Sequence, residues 1–228
     1  QHGLHDDALW PDSHLGIPFD RDHEGYYGAT TATVRDRLPA AIAAWSIAPD
    51  IALIHLGTND QDAEADYAVT VIEPLRQMIG LLRAQNPTMT ILLGQLFFTG
   101  GEALRLRPLV EDLAAELDSP ASRVATVAHY QDFKAQPGDP DSDTFDWAHP
   151  DASGQLKMAE AWLSRLRELG IRPIAVQLRT IAIGLIDGFI WSIEGLDVEG
   201  NDNDGRQLFE DLDPLTNHRL TAQPSGVD

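Results

Sequence analysis

An aspartate and a histidine three residues apart, Asp146 and His149, are the pair in this sequence best suited to acid–base chemistry. A single turn of chain can bring a carboxylate and an imidazole at this spacing into contact. The carboxylate would then fix the ring tautomer and stabilise the imidazolium, so that the second ring nitrogen acts as a general base. Pro150 restricts the backbone after this base, and Asp151 is predicted to begin a helix that runs to about Leu169.

A second block, Gly-Thr-Asn-Asp at residues 57–60, follows the short apolar run of residues 51–56. Such a run predicts a buried parallel strand that ends at the carboxyl edge of a sheet, where open α/β folds bind ligands. The Asn59 amide can donate two hydrogen bonds to an oxygen that gains negative charge during acyl transfer. We predict that Asp60 caps the helix that follows. Each block alone is also explained as an ordinary turn or a chance spacing, but both together at strand ends predict an ester-hydrolysing site.

These blocks resemble those of the SGNH, or GDSL-type, hydrolases, whose consensus runs serine, glycine, asparagine and then Asp-x-x-His. The glycine block corresponds to His-Glu-Gly-Tyr-Tyr-Gly at residues 23–28, and the resemblance implies that the Gly28 N–H joins Asn59 in an oxyanion hole. On the glycine alone, a simple turn before a helix explains Gly28 equally well. The sequence around these blocks, over residues 1–170, is most similar to the acetylxylan-esterase branch of the carbohydrate esterases.

The resemblance implies a three-layer, flavodoxin-like α/β fold and the hydrolysis of short acyl esters, with acetylated carbohydrate as the favoured substrate and no cofactor required for catalysis. In the complete mechanism a serine attacks the ester, His149 takes its proton, and Asp146 orients His149. Trp147 beside the base either stacks on a sugar ring or packs the loop as a buried side chain.

The serine block of the family has no counterpart at its usual place. A member should begin with an apolar strand ending in Gly-Asp-Ser, whereas the 22 residues before His23 contain no such strand. We therefore expect an N-terminally incomplete fold and an unknown nucleophile, for which Ser13 and Ser192 are the candidates. Two alternatives stay open: a catalytically inactive remnant that serves as a carbohydrate-binding or structural module, and a hydrolase in which His149 activates water directly.

Helices and strands alternate along residues 1–172, which we assign to one SGNH-like domain. This alternation predicts a parallel sheet with helices on both faces. The predicted helices cover residues 31–45, 63–85 with a kink at Pro74, 108–117 and 151–169, and the predicted strands cover residues 51–56, 90–98 and 123–128. In the polar loop of residues 131–149, Asp139, Asp141 and Asp143 are predicted to be solvated turn residues.

Residues 173–228 are assigned to a second unit, a β-like segment followed by an acidic tail. We predict that the apolar run of residues 180–191 fills the sheet position beside residues 51–56, within its own subunit or by strand exchange in a homodimer. The tail resembles calcium-binding repeats of thrombospondin type 3. This resemblance makes Asp202, Asp204 and Asp211 candidate ligands of a structural calcium ion, while a disordered acidic tail is the alternative.

Composition restricts the partners of the chain. Its 16 basic and 36 acidic residues give a formal net charge of −20, which disfavours nucleic acids and anionic membranes as partners. There is no cysteine, which excludes disulfides and thiol catalysis. The sequence has no apolar run long enough to predict a transmembrane helix. We expect an extracellular or periplasmic bacterial protein, with no signal peptide in this sequence.

Overall fold

The structure, a computed structural model, describes residues 23–98 and 100–171 and the strand residues 13–14, 17–18, 180–184, 192–193 and 220–221. The strands are β1 (Ser13–His14), β2 (Ile17–Pro18), β3 (Ile51–His55), β4 (Thr90–Gln95), β5 (Val124–Ala128), β6 (Thr180–Gly184), β7 (Ser192–Ile193) and β8 (Leu220–Thr221). The α-helices are α1 (Thr31–Ala44), α2 (Glu73–Gln85), α3 (Glu102–Leu117) and α4 (Ala152–Glu168). A 3₁₀ turn at Thr58–Asp60 and a π-helical turn at Ala68–Ile72 lie between β3 and α2.

The central sheet has the strand order β5-β4-β3-β6, and all its strands are parallel. All five residues of β3 are buried, as expected for a strand whose two faces are both covered. The pairs β1–β2 and β7–β8 are antiparallel and lie outside this sheet. The sequence-based prediction of a parallel α/β sheet is therefore correct.

Alternate residues of β3 contact different layers of the protein. Ala52 and Ile54 pack in the large core that includes buried side chains of α1, α2 and α3. Ile51 and Leu53 pack on the opposite face against Trp162 of α4. Since successive side chains of a strand point to opposite faces, this division confirms the predicted three layers, with helices on both faces of the sheet.

The β6 strand occupies the sheet position beside β3 that was predicted for residues 180–191. It pairs in parallel with β3, with Thr180 opposite Ile51 and Gly184 opposite His55. The prediction is thus confirmed for residues 180–184, and residues 185–191 fall outside the described residues. The pairing is made within one chain, so strand exchange in a homodimer stays a prediction.

Both Pro74 and Pro108 lie inside helical stretches. The π-helical turn Ala68–Ile72 leads directly into α2, so Pro74 lies inside a continuous helical stretch from Tyr67 to Gln85, and the helix predicted over residues 63–85 is confirmed from Tyr67 on. Pro108 lies inside α3, which begins at Glu102 rather than near residue 108. Pro108 leaves the carbonyl of Leu104 without a helical donor. Both residues are exposed, so water can satisfy that carbonyl.

Within the described part of the chain, no helix is long and apolar enough to cross a membrane.

Candidate active site

Asn59 lies at the carboxyl edge of the sheet, immediately after β3. The chain leaves the strand through Gly57, which has a φ of +114° and begins the 3₁₀ turn that holds Asn59. A Cβ atom on Gly57 would lie 2.7 Å from Cδ2 of Leu106 in α3, so both the conformation and the close packing require glycine. The turn therefore presents an exposed Asn59 at the edge where parallel sheets bind ligands.

The loop before α1 is joined directly to this turn. The Asn59 side-chain Nδ2 donates to the backbone oxygen of Ala29 over 3.1 Å. Gly28 is therefore next to a residue that Asn59 contacts. Gly28 has a φ of +66°, and a Cβ built on it would have no atom within 4 Å. The structure thus brings the two predicted oxyanion residues onto adjacent loops, and one Asn59 N–H rather than two is left to donate to a ligand.

Asp60 has a different role from the one predicted. Its Oδ2 accepts hydrogen bonds from the Thr31 backbone N (2.9 Å) and the Thr31 Oγ1 (2.8 Å). Asp60 therefore satisfies a terminal N–H of α1 and does not cap the helix that follows it. Burial raises the pKa of Asp60, and the hydrogen bonds from Thr31 oppose this rise.

Asp146 and His149 form the predicted pair. The His149 Nδ1 lies 2.8 Å from Oδ2 and 3.0 Å from Oδ1 of Asp146. Oδ1 also accepts from the backbone N–H groups of Ala148 (3.1 Å) and His149 (2.9 Å). These contacts, chiefly the hydrogen bond from the His149 ring, lower the pKa of Asp146. The carboxylate therefore stays charged and can hold the ring in the tautomer that donates from Nδ1.

The helix α4 begins directly after this pair. Its N-cap is Asp151, as predicted, and the Asp151 side chain accepts from the backbone N of Ser153 (2.9 Å) and Gly154 (3.0 Å). The Asp151 N–H donates to the backbone oxygen of Asp143 over 3.0 Å. The end of the loop that carries His149 is therefore fixed to a helix terminus.

Asp143 is buried, and the prediction that it is a solvated turn residue is wrong. Its side chain is 1% exposed and lies 2.7 Å from Nζ of Lys157. It also accepts from the Lys134 N (2.7 Å) and the Ser153 Oγ (2.8 Å). Burial would raise the pKa of Asp143, but these donors together lower it. Asp143 thus anchors the loop to α4, and Ser153 and Lys157, four residues apart on one helix face, were a sequence signal for it.

Trp147 is 65% exposed, so the alternative in which it packs the loop as a buried side chain is wrong. Its neighbour Phe145 is 72% exposed. Both aromatic side chains flank Asp146 and lie within four residues of His149. The predicted base is therefore bordered by apolar rings that face solvent.

The two halves of the candidate site belong to the same edge of the sheet. Asn59 follows β3, and the loop that carries the Asp146–His149 pair follows β5, with β4 between the two strands. Strands two positions apart in a sheet are separated by roughly 10 Å. The topology therefore places Asn59 and the loop that carries the Asp146–His149 pair at one edge of the sheet.

Residues 8–157 match the sequence profile of the GDSL-like lipase/acylhydrolase family. The chain belongs to this family. No curated relative matches the sequence. Among solved structures, a carbohydrate esterase family 3 protein from Talaromyces cellulolyticus is similar, with 22% identity, a TM-score of 0.53, and coverage of 68% of this chain and 77% of the other. An acetyl esterase mutant with acetate ion gives the same values. At this identity the likeness establishes the fold, and the GDSL-like family establishes an ester hydrolase.

The structure says little about the remaining candidate residues of this GDSL-like esterase. Ser13 and Ser192 are placed only as backbone, in β1 and β7, so the nucleophile stays a prediction. Asp202, Asp204 and Asp211 lie outside the described residues. Within the described ranges, no group of three or more histidine and acidic side chains could hold a metal ion.

Proposed function

We propose that this esterase hydrolyses acetyl esters of carbohydrates, with His149 as general base and Asp146 as the residue that orients it. The observation that carries the proposal is the 2.8 Å contact between Oδ2 of Asp146 and Nδ1 of His149. A carboxylate on Nδ1 directs the basic lone pair to Nε2 and stabilises the imidazolium that forms when the ring takes a proton. The fold neighbours, a carbohydrate esterase and an acetyl esterase, support this choice of substrate.

In this proposal Gly28 and Asn59 stabilise the negative charge that develops on the ester oxygen. The Asn59 amide has one N–H on the Ala29 oxygen, which fixes its orientation before the substrate binds. Its second N–H and the backbone N–H of Gly28 would then donate to the oxyanion. Preorganised donors of this kind act mainly on the transition state, because the charge is largest there.

The test is acetate release from an acetylated xylooligosaccharide and from ethyl acetate. His149→Ala is expected to abolish turnover above the rate in water. Asn59→Ala is expected to lower kcat by about two to three orders of magnitude with little change in KM. Gln131→Ala, an exposed change in the loop that carries His149, is the matched control and should retain full activity. Full turnover by His149→Ala would refute the assignment of the base.

A second set of variants identifies the nucleophile. If Ser13 or Ser192 attacks the ester, its alanine variant loses activity and a serine-directed phosphonate no longer labels the protein, while the exposed Ser46→Ala control behaves as wild type. If His149 activates water, turnover is slower and resists the phosphonate in every variant. A wild-type rate no higher than the rate in water would instead support the inactive carbohydrate-binding or structural module.

A further inference from the structure

We propose that the indole of Trp147 is the surface on which the sugar ring of an acetylated carbohydrate stacks, so that this side chain selects sugar esters over simple acyl esters. The inference rests on the proposed function, because it places the sugar beside the base His149. It adds a specificity-determining residue to the catalytic residues already proposed.

The first observation is that the indole is not used for packing. Trp147 is 65% exposed, although a tryptophan buries 150–250 Å² when it packs in a core. No aromatic ring or guanidinium stacks on the indole in the described part of the chain. A large apolar ring that contributes so little to the core is available to a ligand.

The second observation is the backbone conformation of Trp147. Its φ is +62°, in a region that glycine enters without cost and that a bulky residue rarely adopts. The Trp147 N–H donates to Oγ1 of the buried Thr144 over 3.0 Å, and the Thr144 hydroxyl donates to the Ala135 oxygen over 2.9 Å. These hydrogen bonds hold the backbone of Trp147 in this conformation. The position therefore carries a large ring although glycine would adopt its φ with less strain.

The third observation is the position of the ring relative to the reacting atoms. Trp147 directly follows Asp146 and lies two residues before His149. The hydrogen bonds from Ala148 N and His149 N to Asp146 Oδ1 fix the chain between the indole and the base. A ligand ring on Trp147 would therefore be held close to the ester that His149 acts on.

The chemistry of the surface favours a sugar ring. An indole is flat and apolar, and the face of a pyranose that carries its C–H groups matches such a surface. A long acyl chain would instead require a concave apolar pocket, whereas Trp147 and Phe145 protrude into solvent. The formal net charge of −20 and the charged Asp146 disfavour an anionic ligand. An uncharged pyranose satisfies all three conditions.

The test distinguishes recognition of the sugar ring from hydrolysis of the ester group. KM and kcat are measured for an acetylated xylopyranoside and for ethyl acetate, which has no ring, and calorimetry measures binding of the acetylated xylopyranoside to proteins carrying His149→Ala. Trp147→Ala is expected to raise KM and Kd for the sugar ester about tenfold and to leave ethyl acetate turnover unchanged. Trp147→Phe should retain most of the affinity because it keeps a ring.

Two further variants control for structure. Trp147→Gly should weaken sugar binding as much as Trp147→Ala while raising Tm, because glycine adopts the positive φ without strain. Val69→Ala, at a side chain that is 64% exposed on a different element, should leave both substrates unaffected.

The inference is overturned if Trp147→Ala slows both esters equally, since the ring would then only position His149. It is also overturned if the sugar ester does not bind to the protein with Trp147 intact. Ethyl octanoate is assayed as a third ester, and a loss of activity confined to this ester would overturn the inference by assigning the indole to an acyl chain. Failure of the proposed function has a different signature, namely full hydrolysis by His149→Ala. In that case calorimetry with the xylopyranoside that carries no acetyl group still tests the stacking surface, because this ligand cannot be hydrolysed.

Discussion

Two buried histidines make the stability of this fold sensitive to mild acid. His55 and His129 are 4% and 2% exposed, and their ring centroids lie 5.4 Å apart. Within the described residues, no ring nitrogen of either histidine has a hydrogen bond of ordinary geometry, and the Gln95 backbone only partly opposes the effect of burial on the pKa of His55. Burial lowers the pKa of His55 to about 4. Burial and the neighbouring His55 lower the pKa of His129 well below its usual value.

The sign of the effect follows from which state takes up the proton. A histidine in the unfolded chain protonates near pH 6.5, whereas His55 in the folded protein stays neutral until about pH 4. Acid therefore stabilises the unfolded state, and the free energy of unfolding falls as the pH drops through this window. For His55 alone the loss is about 2 kcal/mol between pH 7.5 and pH 5 and about 3 kcal/mol below pH 4. His129 acts in the same direction, and typical domains have only about 5–15 kcal/mol of stability.

Urea unfolding at pH 7.5 and pH 5.0 measures the effect. We expect His55→Phe to be about 2 kcal/mol less sensitive to this pH change than wild type, whatever its stability at pH 7.5. Phe97→Leu is the matched control, because Phe97 is buried and stacks on His55 without titrating, so its cost should be equal at both pH values. Equal pH sensitivity of wild type and His55→Phe would refute the reasoning.

Two further substitutions test the packing around the site, and each has a matched control. Asp143→Asn removes the charge that the partly exposed Lys157 contacts and should lower the free energy of unfolding by about 2 kcal/mol and reduce esterase activity, while the exposed Asp139→Asn should change neither; urea unfolding and acetate release measure both. Gly94→Ala would place a Cβ 2.8 Å from a His55 ring carbon and should cost about 1–3 kcal/mol. Gly80→Ala, in a helix with nothing within 4 Å, should instead stabilise the protein by about 1 kcal/mol; thermal unfolding that ranked the two glycine variants the other way would contradict the contact.

The features that the sequence predicted correctly are those set by neighbouring residues. The apolar runs at residues 51–56 and 123–128 predict buried strands because both faces of a parallel sheet are covered, and the strands found are Ile51–His55 and Val124–Ala128. The contact between Asp146 and His149 was predictable for the same reason, since one turn of chain brings them together. The pairing of Thr180–Gly184 with β3 followed from a β-like run and a sheet edge that needed cover.

The features that the sequence did not reveal depend on contacts between distant segments. Asp60 follows β3 directly, as a helix cap would, yet its carboxylate bonds Thr31, which is 29 residues away. Asp143 lies among Asp139 and Asp141 in a polar loop, and only its contact with Lys157, 14 residues on, makes it a buried anchor. The sequence around Asp60 would equally suit a cap of the following helix, and the sequence around Asp143 would equally suit a solvated turn. The distant hydrogen-bond partner therefore decides the role of each aspartate.

The carboxylates of Asp60 and Asp143 each position one half of the candidate site, and their charges have opposite effects on the stability of the fold. Asp143 is held by an ammonium group and further donors, and its lowered pKa means that its charge stabilises the fold at neutral pH. Asp60 has only uncharged donors, and its raised pKa means that its charge at neutral pH opposes folding. Asp60 joins the turn carrying Asn59 to Thr31, the first residue of α1 and three residues after Gly28, so a destabilising group helps to align the proposed oxyanion donors. Such a cost is typical of functional sites, where the geometry that a reaction requires is maintained by the rest of the fold.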